Sequence, residues 1–462
     1  MGEIRLTAAW VAAAMKGNLV GGDAATEFRG VSIDSRTLKA GELFIAIRGE
    51  RFDGAAFVDQ AIAAGANGVV VASGFSRTSV ATIAVDDTTV ALQSLARAIR
   101  RESGTKIVAI TGSAGKTTTK EVTSEFLATR YRVIRNRGNL NNHIGLPLSL
   151  VDLTQRPEIA VVELGMNHAG EISTLVAVAE PDVRVWTNVG EAHLGFFASV
   201  DAIADAKAEI FEGASASTVL VANADDDRIV ARLGGFRGRP ITFGIDRPAD
   251  VRATNVDDRG IDGIHARVTT PRGAMAIQTP LVGRANLANI LAGAAVALQF
   301  EIPVDAIAEK ARALKPASHR GEIVKLRSGI TIIDDSYNAN PTATKRAIDV
   351  LAAAQAARRV AVLGEMLELG DRSTALHEEV GRAAARAGID ALLTVGGAPA
   401  AALAEAAVAA GLPAAAVAHS GTSDEAAERA LTMLRRGDLV LVKGSRGVKT
   451  DRVVERLKAE RG

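Results

Sequence analysis

Lys106-Ile107-Val108-Ala109-Ile110-Thr111-Gly112-Ser113-Ala114-Gly115-Lys116-Thr117 is the stretch that decides the fold. After Lys106 it opens as a short apolar run with no polar alternation. Such a run suits a strand buried on both faces, as in a parallel sheet covered by helices. A loop with two glycines follows, and then a helical pattern over Thr118–Thr129. Glycines let the backbone wrap closely around phosphate oxygens with N–H groups pointing inward, and a helix N-terminus adds a favourable partial charge. Lys116 can reach the β- and γ-phosphates of a nucleotide, and the Thr117 hydroxyl can hold Mg²⁺. The candidate ATP-binding residues here are Thr111, Gly112, Ser113, Ala114, Gly115, Lys116, Thr117 and Thr118. The usual phosphate loop has a glycine where this chain has Ile110, so the loop is a shorter variant.

Similar apolar runs recur on the C-terminal side, at Ala160–Leu164, Val183–Thr187, Val219–Ala222 and Ile241–Phe243, with helical patterns between the earlier ones. They predict a mainly parallel sheet with helices outside. Asp250–Pro280 is polar, β-branched and turn-rich, which predicts antiparallel strands beside that sheet; Leu287–Phe300 reads as a buried helix. On the N-terminal side a turn feeds a strand over Gly41–Ala46, Gly54–Gly65 reads as a helix and Gly68–Val71 as a strand. Beyond Pro316, strands at Ile330–Asp334, Val360–Leu363, Leu392–Val395 and Leu439–Val442 alternate with helices and predict a doubly wound α/β unit.

A chain of 462 residues is long enough for two to four domains. Aromatics are only 3%, so Val, Ile, Leu and Ala must fill the core. The formal charge of +1 gives no support for a nucleic-acid or anionic-membrane surface, which needs a basic excess. With no cysteine, disulfides, thiolate metal sites and thiol nucleophiles are excluded. Ala8–Met15 reads as a small amphipathic helix, capped by Thr7 and stopped by Gly17, rather than as a signal peptide. Ala391–His419 is apolar, but its glycines and prolines break it too often for a membrane helix; strand–helix–strand explains it better.

Several residues carry chemistry. A dinucleotide fold needs Gly-x-Gly after a strand, and no two glycines in this chain stand two residues apart, which disfavours an NAD enzyme. Val161-Val162-Glu163 ends an apolar strand in an acid, where a parallel sheet places its ligands. Glu163 can bind Mg²⁺ directly or through water, or pair with a helix N-terminus. His193 follows another strand; a single histidine is commonly structural, and it gains weight only from Lys207 and Glu209 further on. Lys207 can stay a cation on phosphate, become a carbamate by reacting unprotonated with CO₂, or simply face solvent on its helix, and the residues alone leave that choice open.

A larger set of ordered blocks surrounds these residues. It comprises Thr111–Thr118 with Lys120-Glu121, Asn139–Pro147, Glu163–Ile172, Ala192–Leu194, Lys207–Ile210 and Asn286–Asn289. It continues with Asp334-Asp335-Ser336-Tyr337-Asn338-Ala339-Asn340-Pro341, Leu363–Gly370 and Lys443–Gly447. Over nearly the whole chain this set resembles the Mur ligase family. The last three blocks are similar to the member that adds D-alanyl-D-alanine to UDP-N-acetylmuramoyl-tripeptide.

The resemblance implies an α/β protein of three domains: a small N-terminal nucleotide-sugar domain over 1–84, a central phosphate-loop ATPase domain with a parallel sheet over 85–315, and a C-terminal Rossmann-like domain over 316–462. It implies ATP and Mg²⁺ as cofactors, the two named molecules as substrates, and a cytoplasmic monomer without nucleic-acid partner or membrane insertion. It implies that Lys116, Glu163, His193 and Lys207 are catalytic. Thr117 and Glu163 are expected on one Mg²⁺, and His193 and Lys207, the latter as a carbamate, on a second. Asn286 is expected near adenine, Arg320 near phosphate and Asp335 near ribose. The implied substrate-binding residues are Ser35 and Arg36 for the uridine nucleotide, Asn141 and Asn142, and Asn338, Asn340, Lys443 and Arg446 on the dipeptide side.

Four positions depart from the family pattern. Ala55 and Ala285 each stand where it has a histidine, His319 where it has a glycine, and Ala343 where a serine is usual. Three alternatives compete. Another ligase of the superfamily would differ in its C-terminal half. A phosphate-loop switch or transport ATPase would lack a carboxylate-activating third domain. A catalytically dead paralogue is disfavoured because Lys116, Glu163, His193 and Lys207 are all in place.

Overall fold

The Lys106–Thr111 strand lies inside a nine-stranded sheet, between Ile159–Glu163 and Val183–Trp186, and pairs parallel with both. The protein is described here from a computed structural model, over residues 2–49, 53–75, 78–136, 138–192 and 194–462. Parallel order runs from Val133–Arg135 at one edge through Val219–Asn223 and Arg239–Gly244. All five residues of Ile159–Glu163 are buried, as the unbroken apolar run requires. Val251–Asp258 joins parallel through only two rungs, and the hairpin of Ile264–Thr270 and Gly273–Thr279 then extends the sheet antiparallel. The predicted antiparallel extension is therefore present, but its first strand is parallel to its inner neighbour.

Helix boundaries follow local chemistry. The helix after the glycine loop spans Lys116–Leu127, two residues earlier than its apolar pattern indicates. Gly115 sits left-handed at φ 81° and turns the chain directly into it. Ala8–Met15 is capped as expected by Thr7, whose hydroxyl accepts from Trp10 N–H. Its stop is Lys16, left-handed at φ 57°, and not Gly17. The predicted Gly54–Gly65 helix divides into a 3₁₀ turn over Gly54–Phe57 and an α-helix over Val58–Ala63.

The N-terminal part forms a five-stranded sheet in the order Asn18–Gly21, Ala81–Val85, Gly68–Ala72, Leu43–Ile45, Val31–Ser32. The Thr88–Ser103 helix follows it and packs on both Ala8–Met15 and Gly145–Leu150, so one apolar core continues into the central sheet. The C-terminal part is a six-stranded sheet in the order Glu322–Lys325, Thr331–Asp335, Asp438–Lys443, Arg358–Gly364, Ala391–Val395, Val417–Ser420. Only its first strand is antiparallel. Ala391–His419 is strand, helix and strand. Among the described residues no helix is long and apolar enough to cross a membrane.

Close helix packing in this last unit gives a test. Gly381 lies where the Ser373–Arg386 helix meets Ala398–Ala409, and a Cβ there would stand 2.1 Å from the Leu403 carbonyl oxygen. Gly381→Ala should cost about 1–3 kcal/mol by overpacking. A lower urea midpoint for the C-terminal transition checks it; an unchanged midpoint would refute the packing.

Candidate active site

The carboxyl ends of the central and C-terminal sheets line one cleft of about 1120 Å³. On the central side the wall begins at Ser113 and runs through Thr118. Thr111 and Gly112 lie behind it: Thr111 is buried, and a Cβ on Gly112 would stand 1.9 Å from Thr187 Oγ1. The loop is braced by the neighbouring strand's end. Asn188 Oδ1 accepts from Ala114 N–H at 2.9 Å, Asn188 Nδ2 donates to Ala114 O at 2.9 Å, and Thr187 Oγ1 donates to the same carbonyl at 2.7 Å. Ser113 N–H donates to Asn188 O at 3.0 Å. The Ser113 and Ala114 amides are thus used internally. The donors left for an anion are those of Gly115 and of the helix start from Lys116 onward, which lack intrahelical partners. Asn289 closes the loop from the far side, its Oδ1 2.4 Å from where a Gly115 Cβ would lie.

Lys116 lines the cleft and donates from Nζ to Gly112 O at 2.7 Å. Dense protein around its amine pushes its pKa down, Glu163 pulls it up, and Arg320 pushes it down further. Glu163 lines the same wall and is buried. Its backbone N–H donates to Asn136 Oδ1 at 3.1 Å. Behind it the buried Lys120 stands 3.1 Å from Glu163 Oε1 and donates to Asn136 O at 2.9 Å. The Lys120 approach is off the hydrogen-bonding direction, so Glu163 Oε1 is a buried oxygen with no hydrogen-bond donor. Lys207, on the Val200–Ala208 helix, is buried, and burial followed by the Lys116 charge pushes its pKa far below the ordinary lysine range. It lies behind the cleft wall rather than in its lining. His193 lies outside the described residues.

The opposite wall comes from the C-terminal sheet. Arg320, Asp335, Asn338, Asn340, Lys443 and Arg446 all line the cleft. Tyr337 sits between two guanidinium groups, 4.3 Å from Arg320 and 5.5 Å from Arg446. Lys443 is buried and committed, donating to Asp335 Oδ2 at 2.5 Å and to Asn338 O at 2.9 Å. Two of its three ammonium donors are thus used within the wall. Asn340 caps the Pro341–Ala353 helix by accepting from Ala343 N–H at 2.8 Å. His319 takes the left-handed conformation its position demands, φ 58°, and its Nδ1 is 2.8 Å from Asp334 Oδ2.

Other expected residues separate. Asn286 and Asn141 line the cleft. Asn142 does not; it caps the Gly145–Leu150 helix start by accepting from Gly145 N–H at 2.7 Å. Ser35 and Arg36 belong to the N-terminal unit, where Ser35 Oγ donates to Gln60 Oε1 and Arg36 forks onto Asp34. Residue types alone did not single out Asn188, Asn289 and Lys120; Asn188 stands two residues past the end of a strand, and Lys120 and Asn289 stand five and six residues past Gly115 and Gly283.

Comparison with known proteins agrees with this geometry. The Mur ligase middle domain matches residues 110–297, the Mur ligase glutamate ligase domain 319–446, and the Mur ligase family catalytic domain 27–110. The chain belongs to the Mur ligase family. It is 37% identical to the UDP-N-acetylmuramoyl-tripeptide–D-alanyl-D-alanine ligase of Bacillus subtilis, over 94% of this chain and 93% of that one. Among solved structures, MurF from Acinetobacter baumannii superposes with a TM-score of 0.90 at 31% identity, covering 100% of both chains. MurF from Thermotoga maritima in complex with ADP gives 0.84 at 28%, covering 94% of this chain and 97% of that one.

Lys120→Met should leave the Glu163 carboxylate buried and uncompensated, at a cost of about 3–5 kcal/mol. Adding Glu163→Gln should recover most of that loss. Urea unfolding of the central sheet is the measurement, and equal stability of Lys120→Met and the parent would refute the pairing.

Proposed function

We propose that this chain joins D-alanyl-D-alanine to UDP-N-acetylmuramoyl-tripeptide, converting ATP to ADP and phosphate. The observation that carries the reading is 37% identity across 94% of the chain to a ligase of that name. The units are taken as 1–84 for the nucleotide sugar, 85–315 for ATP and 316–462 for closing the cleft, and the reaction is assigned to the cytoplasm.

The chemistry divides into two steps. An oxygen of the tripeptide carboxylate attacks the γ-phosphorus of ATP, the bond to the bridging oxygen breaks, and ADP leaves. The dipeptide amine then attacks the acyl phosphate carbon, loses a proton and expels inorganic phosphate. Lys116 and the helix-start amides neutralise charge on the transferring group, where positioning and electrostatics supply most of the catalysis. Arg320 adds a cation from the opposite wall, and Asp335 and Asn286, which line the cleft, are assigned to the nucleoside. Asn338, Asn340 and Arg446 are assigned to the dipeptide side.

The donor set fits Mg²⁺. Glu163, its Oε1 paired with Lys120, lines the cleft, and Thr117 lines the same wall; a carboxylate and a hydroxyl, hard oxygen ligands with few protein donors, suit this ion. When bound, Mg²⁺ would screen repulsion between the carboxylate and the triphosphate. Lys207, with His193, is assigned to a second ion. The depressed pKa of Lys207 supports its carbamate form, because the neutral amine is the species that adds to CO₂, releasing one proton.

Lys116→Ala should abolish product formation, since the clamp acts mainly in the transition state. Near-normal turnover would sink the reading. Lys207→Ala should lose activity and regain part of it with added short carboxylates; full activity without them would assign Lys207 a structural role. Phosphate release with a panel of UDP-muramoyl peptides against D-alanyl-D-alanine and other amines tests the substrate assignment.

A further inference from the structure

His377 is fully buried on the Ser373–Arg386 helix, and the reaction steps above do not use it. Both its ring nitrogens are engaged. Nε2 lies 2.9 Å from Met366 N, and Nδ1 lies 2.7 Å from Ser373 O. A backbone N–H can only donate, so Nε2 must accept; the ring proton is then on Nδ1, donating to the Ser373 carbonyl. This fixes one neutral tautomer.

Met366 begins the turn that brings Leu367 and Glu368 into the cleft. That turn is tied to the ends of the next two strands, Asp438–Lys443 and Thr331–Asp335. Leu367 N–H donates to Ser445 Oγ at 2.9 Å, Ser445 Oγ donates to Ala339 O at 3.3 Å, and Ser445 N–H donates to Glu365 O at 3.2 Å. The loops after Thr331–Asp335, Arg358–Gly364 and Asp438–Lys443 therefore meet at one buried hydroxyl, and His377 holds the loop after Arg358–Gly364. The same turn reaches the central half, where Gly195 N–H donates to Glu368 O at 2.9 Å.

We infer that His377 is a positioning residue for the amine half of the reaction: its neutral imidazole fixes the Met366–Glu368 backbone, and through Ser445 the Asn338–Asn340 wall. The inference rests on the assignment of that wall to the dipeptide. A protonated ring would turn an N–H toward the Met366 N–H, and the anchor would have to open. Burial holds the His377 pKa below the usual histidine range, against upward pulls from the Ser373 carbonyl and Glu365. Among the other charges on adjoining elements, Lys345 pairs with Glu379 and Lys443 with Asp335. The sign follows. The contribution is complete above the unfolded histidine value of about 6.5 and is lost as pH falls through the lower folded value.

The test compares His377→Leu, which removes the acceptor, with His377→Gln, which keeps an acceptor at the Nε2 position and does not titrate. His377→Leu should raise the KM for D-alanyl-D-alanine by about tenfold, the worth of one lost buried acceptor. The KM values for ATP and the UDP-tripeptide should hold, as should acyl-phosphate formation read by positional isotope exchange in ATP. His377→Gln should keep the parental dipeptide KM and remove its rise at acid pH. Equal effects on all three substrates would overturn the inference. If His377→Leu does not fold, an acid rise that persists in His377→Gln overturns it. Arg446→Ala separates the two layers. A silent His377→Leu beside a raised dipeptide KM in Arg446→Ala overturns the inference alone. Silence of both variants overturns the assignment of the wall.

Discussion

Parallel pairing around Lys106–Thr111 is the constraint on which the rest of the cleft depends. Its rungs set Glu163 beside Ile110 and Trp186 beside Thr111. Parallel strands end on the same edge, so the glycine loop, the Glu163 carboxylate and the Thr187–Asn188 brace all emerge within one rung of each other. The C-terminal sheet repeats this arrangement. Its rungs set Lys443 beside both Asp335 and Leu363, and three loops issue side by side. Two such edges turned toward one another make a cleft with a phosphate-gripping half and a polar, partly cationic half. Ligands of open α/β sheets collect at carboxyl edges for this reason.

Charge then distinguishes the three lysines around the loop. Lys120 is buried against Glu163 and Asn136, so its cation is balanced where it stands. Lys116 and Lys207 share one electrostatic neighbourhood, and each is driven toward neutrality first by burial. A polyanion entering the cleft favours the protonated Lys116. Lys207 lies outside the cleft lining.

Much of this was legible in the sequence because short apolar runs and glycine turns report backbone requirements. The Glu163 position could be read because an acid ending a buried strand has few other places to go. Helix starts were less legible: Thr118 looked like the first helical residue because apolar periodicity begins there, whereas Gly115 had already set the turn. Lys16 ends its helix in place of Gly17, taking the left-handed conformation while its N–H still finds the Ala12 and Ala13 carbonyls. Lys443 reads as a substrate contact, and residue type does not reveal that Asp335 and the Asn338 carbonyl take two of its three donors. His377 carried no signal, because its partners are backbone atoms and any sequence supplies those.

The departure at His319 has a mechanical consequence. A glycine at φ 58° between the central and C-terminal sheets would leave the joint free to sample many backbone states. A histidine pays roughly 1 kcal/mol or more to sit there. Its ring is held to Asp334, whose Oδ1 also accepts from the Ser336 hydroxyl at 2.6 Å. The unbound chain therefore has fewer conformations to lose at this point. The two halves of the cleft are joined by a sprung pivot rather than a slack one, and its stiffness is borne by one side chain that the backbone alone would not select.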